Sequence, residues 1–332
     1  MSVSLTFRAL QESVPGARLG GVLAEYWPAY QRWLRRAPAL PLDRCLVELQ
    51  RHMPELLPAF DQILRHSGGD ERVARFLTLW SPPPLIRGCT QVVLDDADGP
   101  LLLRAYDHHP RLFDGLILRS DWDGVPVVCV TDCLWGALDG VNAHGLAVAL
   151  AFGGRNAIGP GFASPLVVRY LLQTCATVAD AREVLDRVPL SMPYTFVIAD
   201  RHGDVVTAHA GPDRPTRFTD ARASANHDAP DDWPEYEART HSVARLQCAE
   251  AVLQDSTDSA EVQRAFLQPP LWRDEYDAGF GTLYVAAYRP TTGALSLCFP
   301  QHTEHFSLAA FRERSFAVIL PEGIALPRFS IK

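Results

Sequence analysis

The sequence predicts an α+β protein, because its two parts carry different hydrophobic periods. Over residues 1–80, apolar residues recur three or four positions apart, which is typical of amphipathic helices. Pro82, Pro83 and Pro84 then exclude helix, and short apolar runs separated by turn dipeptides follow them. Strands, then helices, then strands again are typical of antiparallel α+β layering.

The first part predicts several short helices. Residues 23–36 have helical periodicity. Pro54 and Pro58 divide the periodic stretch 42–64 into shorter helices, because proline interrupts a helix interior. Asp70, which follows two glycines, is typical of the N-cap of a further helix.

The second part predicts strands and helices in alternating groups. Its apolar runs predict strands over 91–94, 101–106, 115–119, 125–131, 146–152, 194–200, 205–210, 282–287 and 294–299. Helical periodicity predicts helices over 165–174, 178–187 and 235–253. The dipeptide Asp139-Gly140 is one of the turn signals between the strands.

Composition narrows the range of partners and locations. The chain has 332 residues, of which 47% are hydrophobic and 21% charged, and its formal net charge is −8. A mildly acidic chain without blocks of like charge argues against nucleic acids and anionic membranes as partners. The first ten residues lack the apolar region of a secretory signal, and no apolar run is long enough to span a membrane. The expected location is therefore the cytoplasm.

No metal or other cofactor is expected. The seven cysteines are widely and irregularly spaced, which predicts free thiols in a cytoplasmic protein. Cys129 and Cys133 are close together, but zinc takes four ligands and no further pair lies near them. His108 and His109 are adjacent, so on a strand they point to opposite faces and do not share an ion.

Gly88 and Cys89 lie between the prolines and the first strand of the second part. A thiol needs a nearby base or cation to become a nucleophile. If the bond before Cys89 breaks, its own α-amino group, with a reference pKa of about 7.7–8.0, supplies that base. Gly88 permits the sharp bend that such a cleavage requires. Exposure at a new terminus would also make Cys89 the most reactive thiol, although a buried structural cysteine is the commoner interpretation of such a pair.

Arg104 and Asp107 come fifteen and eighteen residues after Cys89. A hairpin between the first two strands would bring all three residues together. Arg104 could then hold the thiolate or a substrate carboxylate, and Asp107 could accept a hydrogen bond from the new α-ammonium group. The alternative is an ordinary pair between Arg104 and Asp107 at a strand end.

Several motifs in order resemble the isopenicillin-N acyltransferase family and, more distantly, the penicillin V acylases and bile-salt (choloylglycine) hydrolases. These motifs are Gly88-Cys89-Thr90, Arg104-Ala105-Tyr106-Asp107, the stretch 140–154, the segment 223–228 with Asn226, and the segment 242–246 with Arg245. Together they cover residues 85 to about 300. The chain departs from the family at Ala105, where relatives often have asparagine, and at Ala143-His144, where they often have Glu-Lys. It also has Ala151-Phe152-Gly153 where bile-salt hydrolases have an oxyanion-binding asparagine.

The resemblance implies a fold and a maturation step. The implied fold is the αββα four-layer sandwich of the N-terminal-nucleophile hydrolases, here with a helical N-terminal segment. Self-cleavage between Gly88 and Cys89 would give a helical fragment 1–88 and a catalytic fragment 89–332, and the two fragments would stay associated.

The resemblance also implies a site and an activity. Cys89 would be the nucleophile, with Arg104, Asp107, Asn226 and Arg245 as the other catalytic residues. Asn226 and the backbone N–H groups of residues 152 and 153, Phe152 and Gly153, would stabilise the oxyanion. The substrate would be a linear amide or a related small acyl donor, cleaved or transferred through an acyl-enzyme without a cofactor. The alternative is an unprocessed, non-catalytic relative that acts as a binding or scaffold protein.

Overall fold

The computed structural model describes residues 3–84, 86, 88–229 and 233–320. Its strands are β1 (Val3–Glu12), β2 (Gly88–Asp96), β3 (Gly99–His108), β4 (Leu116–Trp122), β5 (Val125–Asp132), β6 (Gly136–Asn142), β7 (Leu146–Phe152), β8 (Tyr194–Asp200), β9 (Val205–Gly211), β10 (Arg214–Thr219), β11 (Ala223–Ser224), β12 (Gly281–Arg289), β13 (Ala294–Cys298), β14 (Thr303–Ser307) and β15 (Arg314–Leu320). Its α-helices are α1 (Leu19–Leu34), α2 (Leu42–His52), α3 (Leu57–His66), α4 (Glu71–Leu77), α5 (Ser164–Thr174), α6 (Val178–Arg187), α7 (Pro234–Thr240), α8 (Ser242–Asp255) and α9 (Ser259–Phe266). Short 3-10 helices span Pro54–Leu56 and Pro110–Leu112.

The strands form two sheets that face each other. The larger sheet has the order β10-β9-β8-β7-β6-β5-β4-β1-β15, and the smaller has the order β11-β2-β3-β12-β13-β14. All neighbouring strands are antiparallel except β1 and β4, which are parallel. Strands β2, β3, β12 and β13 lie against β6, β7 and β8, and apolar side chains from both sheets fill the space between them. The candidate site lies in this space.

Helices cover the outer face of each sheet. Helices α5 and α6 pack on the larger sheet, whereas α8 and α9 pack on the smaller sheet. The order of layers is therefore helix, sheet, sheet, helix, which confirms the αββα sandwich. Within the described residues, no helix is both long enough and apolar enough to cross a membrane.

The N-terminal segment contains a strand as well as helices. Helices α1 to α4 share one apolar cluster with the outer face of the larger sheet and with α5. The prediction that the segment is helical throughout is wrong for Val3–Glu12, because these residues form β1 between β4 and β15. Leu5, Phe7 and Ala9 are buried at every second position, which is the period of a strand. Their partner strands lie more than a hundred residues away in the sequence, so no local turn signal announces the pairing.

Two further predictions differ from the structure. Asp139-Gly140 is not a turn but part of β6, where Gly140 is required for packing. A Cβ atom at Gly140 would lie 2.6 Å from Leu172 Cδ1 and 2.8 Å from Cys129 Cβ. The helix predicted over 235–253 is divided into α7 and α8 at His241, which has a φ of +49°. The division by Pro54 and Pro58 and the N-cap at Asp70, which accepts a hydrogen bond from the backbone N–H of Arg72, are confirmed.

Candidate active site

A hairpin brings Cys89 and Arg104 onto the same face of the smaller sheet. Strands β2 and β3 pair so that Cys89 lies opposite Tyr106 and Gln91 lies opposite Arg104. Side chains alternate between the faces of a strand, so Cys89 and Arg104 are diagonal neighbours. Their face points towards the larger sheet, because Arg104 contacts Asp139 on β6.

Gly88 pairs with Asp107 in the same hairpin and leaves no room for a side chain. A Cβ atom at Gly88 would lie 2.9 Å from Asp107 Cβ and 3.0 Å from Asp107 Oδ2. Gly88 is the first residue of strand β2. In the uncleaved chain, the close approach of Asp107 therefore accounts for the glycine.

The thiol of Cys89 is buried and lies against a cation. Arg104 Nη2 donates a hydrogen bond to Cys89 Sγ at 3.1 Å. Burial raises the pKa of the Cys89 thiol, whereas the positive charge of Arg104 acts to lower this pKa. In the uncleaved chain, Cys248 alone among the seven cysteines is only partly buried, and the exposure of Cys89 at a new terminus stays a prediction for the cleaved protein.

Asp139 is the carboxylate that holds Arg104. Arg104 Nη1 donates to Asp139 Oδ2, and both side chains are fully buried between the sheets. The hydroxyls of Tyr284 and Tyr288 donate to the two oxygens of Asp139, and Arg104 Nη1 also donates to the Tyr284 hydroxyl at 3.1 Å. Sequence analysis missed Asp139 and both tyrosines, although an aspartate between two predicted apolar strands is a signal that could have been weighed.

Asn226 and Arg245 hold the backbone of Cys89. The N–H of Cys89 donates to Asn226 Oδ1 at 2.7 Å, and its carbonyl accepts from Arg245 Nη1 at 2.9 Å. Arg245 Nη2 also donates to Asn226 Oδ1 at 2.7 Å, so two donors determine the orientation of the amide. Asn226 Nδ2 donates to the carbonyl of Phe152 at 3.0 Å, and Ser242 Oγ accepts from the backbone N–H of Asn226 at 2.6 Å.

The partner of Asp107 is Arg245. Arg245 Nη1 lies 3.2 Å from Asp107 Oδ2, and the hydroxyl of Thr282 donates to Asp107 Oδ1 at 2.7 Å. The alternative interpretation of an Arg104–Asp107 pair is therefore wrong, because Arg104 pairs with Asp139 instead. The site thus contains two separate buried ion pairs, one beside the thiol and one beside the cysteine backbone.

The predicted oxyanion donors are only partly free. The backbone N–H of Gly153 donates to the carbonyl of Pro193 at 2.9 Å, which conflicts with its predicted role. The carbonyl of Phe152 accepts a hydrogen bond from the side chain of Asn226, so residue 152 lies next to the site. The amide of Asn226 carries two hydrogens, and the structure assigns one of them to Phe152.

A charged cluster anchors the loop that carries Asn226. Asp228, two residues later, accepts hydrogen bonds from Arg217 and from Arg155 Nη1, the latter at 3.3 Å. His209 Nδ1 lies 3.6 Å from Asp228 Oδ1, and burial lowers the pKa of His209 to about 4.

Within the described residues, no group of three or more His, Cys, Asp and Glu side chains is arranged to hold a metal ion.

A cavity lies beside the chain that leads to Cys89. It has a volume of about 510 Å³ and is lined by Pro84, Ile86, Tyr30 and Phe113 among others. Three residues span at most about 11 Å, so Ile86 and Cys89 are close in space. A concave, largely apolar cavity of this size is typical of small-molecule sites.

Comparisons with known proteins show the family of the chain. The sequence model of a family described as acyl-coenzyme A:6-aminopenicillanic acid acyl-transferase matches residues 94–304, which is more than half of the chain. The matched range begins after Cys89 and includes Arg104, Asp107, Asn226 and Arg245. A search of curated proteins found no match.

Three solved structures are similar to the chain at low identity. Penicillin V acylase from Agrobacterium tumefaciens is 12% identical with a TM-score of 0.48, covering 67% of this chain and 86% of its own. A mutant conjugated bile acid hydrolase from Clostridium perfringens is 11% identical with a TM-score of 0.46, covering 69% and 96%. The Caenorhabditis elegans ortholog of N-acylethanolamine-hydrolyzing acid amidase is 17% identical with a TM-score of 0.48, covering 70% and 100%.

Proposed function

The chain belongs to the acyl-coenzyme A:6-aminopenicillanic acid acyl-transferase family, and from this premise we propose an activity for it. The protein is an amide hydrolase or acyltransferase that acts on a small linear amide or acyl donor. Its nucleophile is Cys89, which becomes the start of a new chain when the bond between Gly88 and Cys89 is cleaved. No cofactor takes part.

The observation that carries the proposal is that buried polar side chains form hydrogen bonds with both the sulfur and the nitrogen of Cys89. Arg104 contacts the sulfur at 3.1 Å, and Asn226 Oδ1 accepts from the nitrogen at 2.7 Å. Every buried backbone N–H needs an acceptor, but within a sheet that acceptor is ordinarily a carbonyl of the neighbouring strand, whereas the N–H of Cys89 donates to a side-chain amide. A catalytic N-terminal cysteine uses its sulfur as the nucleophile and its nitrogen as the base, and each requires a fixed position.

Self-cleavage proceeds through the same sulfur. Cys89 Sγ attacks the carbonyl carbon of Gly88, the C–N bond to Cys89 breaks, and the nitrogen leaves as an amine that takes up the thiol proton. Water then hydrolyses the resulting thioester, which releases a carboxylate on Gly88 and returns the thiol. Arg104 stabilises negative charge on the sulfur before attack, and Asn226 holds the nitrogen during and after release.

The mature site acts on substrate by the same chemistry. The α-amino group of Cys89 accepts the thiol proton as Sγ attacks the substrate carbonyl, and the proton passes to the leaving amine as the C–N bond breaks. The amide hydrogen of Asn226 that Phe152 does not accept stabilises the oxyanion. The thioester then transfers its acyl group to water or to an acceptor amine. The cavity beside Ile86 binds the acyl group, since its lining is mainly apolar.

The two fragments remain together after cleavage. Residues 1–88 supply β1, which pairs with β4 on one side and β15 on the other. Helices α1 to α4 also bury apolar side chains in the cluster that covers the larger sheet. Separation of the fragments would expose both the sheet edges and this apolar surface, which supports retention rather than release.

Mass spectrometry and N-terminal sequencing of the purified full chain test the proposal. We expect a fragment that begins at Cys89 in the wild type and a single chain in Cys89→Ala. Cys129→Ala is the matched control, because Cys129 is also fully buried and its Sγ accepts from Arg169 Nη2 at 3.0 Å. Cleavage should persist in that variant, since Val128 rather than a glycine precedes Cys129 and the proposed cleavage site is elsewhere in the chain.

The activity of the processed protein is measured with N-acyl p-nitroanilides of aromatic and aliphatic acids, which release a coloured amine. Loss of turnover in Cys89→Ala but not in Cys129→Ala supports the mechanism. An intact and unreactive wild-type chain after prolonged native incubation would overturn it and would favour a non-catalytic binding protein.

A further inference from the structure

A second cavity lies on another face of helix α1. It has a volume of about 520 Å³, and its apolar lining includes Trp27, Leu34, Leu40 and Leu42. It shares no lining residue with the cavity beside Ile86. All of its lining residues precede residue 94, so the cavity belongs to a part of the chain outside the family match. Its volume is within the range of small-molecule sites.

Arg75 lines this cavity. Within the described residues, its guanidinium forms no ion pair with a carboxylate. Its side chain is partly buried, and Nη2 is buried without a hydrogen-bond acceptor. Burial lowers the pKa of Arg75. Among the described residues, the thiol of Cys45 is the one group that acts to raise this pKa. Glu71, one helical turn earlier, also lines the cavity but does not accept a hydrogen bond from Nη2.

An arginine in this position is costly unless an anion joins it. A buried donor without an acceptor loses the hydrogen bonds that water would supply, and a charged donor loses more. The other arginines of the cavity wall are exposed, and Arg72 contacts Asp70 at 3.4 Å. Arg75 therefore differs from these neighbours in combining burial with the lack of a counter-ion among the residues that the structure describes.

We propose that this cavity binds an amphipathic monocarboxylate, with the carboxylate on Arg75 and the apolar tail or ring against Trp27 and Leu34. A guanidinium matches a carboxylate in geometry as well as in charge. The apolar walls exclude a ligand that is charged along its whole length. The site is separate from Cys89 and does not require cleavage.

Decanoate below its micelle concentration is the probe, and isothermal titration calorimetry measures its binding to the full chain. We expect saturable binding to the wild type and a loss of affinity of about 10- to 100-fold in Arg75→Gln, which removes a charge-assisted hydrogen bond. Arg65→Gln is the matched control, because Arg65 is an exposed arginine of the same helical segment that does not line the cavity. Its affinity should equal that of the wild type.

Two further measurements test the proposal even if Arg75→Gln folds poorly. Ala39→Trp fills the cavity from an exposed position in its wall and should abolish binding. Decanol, which lacks the charge, should bind the wild type about 10- to 100-fold more weakly than decanoate. Equal affinity for decanol and decanoate, full binding to Ala39→Trp, or no saturable binding of decanoate would each overturn the proposal.

The same titrations on Cys89→Ala separate this site from the proposed activity. We expect the same affinity for decanoate in that chain, since neither cleavage nor the nucleophile contributes to the cavity. A loss of binding in Cys89→Ala would place the ligand at the active site and contradict the proposal, whatever the outcome for catalysis.

Discussion

Asp139→Asn removes the negative charge that holds Arg104 and leaves the size of the side chain unchanged. Arg104 would remain buried without a carboxylate beside it, and the Tyr284 hydroxyl would stay as a neutral partner. Asparagine keeps one oxygen, so its NH2 group must face either Arg104 and Tyr284 or the hydroxyl of Tyr288. The substitution therefore creates both an unpaired buried cation and a mismatched hydrogen bond.

The expected loss follows from the burial of the pair. The side chains of Arg104 and Asp139 both have 0% exposure. Removing one partner of such a pair lowers the free energy of unfolding by about 3–5 kcal/mol. The matched control is Asp121→Asn, because Asp121 pairs with Arg119 on the same sheet but is 28% exposed. Solvent screens this partly exposed pair more than a fully buried one, so the control should lose less.

Urea unfolding of both variants measures the difference. Each substitution is made in the Cys89→Ala chain, so that every sample remains one uncleaved chain. We expect Asp139→Asn to lose at least about 2 kcal/mol more than Asp121→Asn. Removing the cation as well, in Arg104→Met with Asp139→Asn, should restore part of the loss, because no unpaired charge remains and the asparagine oxygen can still accept from a tyrosine hydroxyl. Equal losses in the two asparagine variants would refute the assignment of Asp139 as the essential partner of Arg104.

Three further predictions concern the cleavage site, the amide beside it and the charged cluster. Gly88→Ala should slow self-cleavage and destabilise the chain by about 1–3 kcal/mol, because its Cβ would meet Asp107 at 2.9 Å; Gly21→Ala, whose Cβ meets nothing within 4 Å, is the control, and an equal mass-spectrometric cleavage rate in both would contradict the packing argument. Asn226→Ala should lower turnover of the processed enzyme by about 10²–10³ with little change in KM; normal turnover in a processed protein with a lower melting temperature would leave Asn226 a structural role only. His209 has a pKa of about 4 in the fold and about 6.5 when unfolded, so its contribution to stability is present above pH 6.5 and falls by about 3 kcal/mol as the pH drops to 4. His209→Gln should flatten the stability profile in that window, and an unchanged pH dependence of urea unfolding would count against it.

Much of the site follows from motifs, but the pairing within it does not. The resemblance named Cys89, Arg104, Asp107, Asn226 and Arg245, and the structure brings all five together. The expected contact between Arg104 and the sulfur of Cys89 is present. The carboxylate partners were not predicted, since each arginine binds an aspartate on another strand or helix. The order of motifs predicts which residues belong to the site. Their hydrogen-bond partners depend on which strands and helices pack against each other.

The sequence by itself determined the local elements. Hydrophobic period, proline positions and an N-cap residue act over a few positions, so the helices α2 to α4 and most central strands were predicted from the residues alone. The α+β class followed from the order of those elements, and the implied αββα layering matches the contacts between them.

Only the tertiary structure decided the place of β1 and the role of Asp139. Strand β1 is parallel to β4, with more than a hundred residues between them, and Asp139 meets Tyr284 across 145 positions of sequence. In the sequence, Asp139 before a glycine has the form of a turn, and Val3–Glu12 has no hairpin partner nearby. Burial of a charge is tolerated only where other strands bring its partners, and that depends on sheet order rather than on the neighbouring residues.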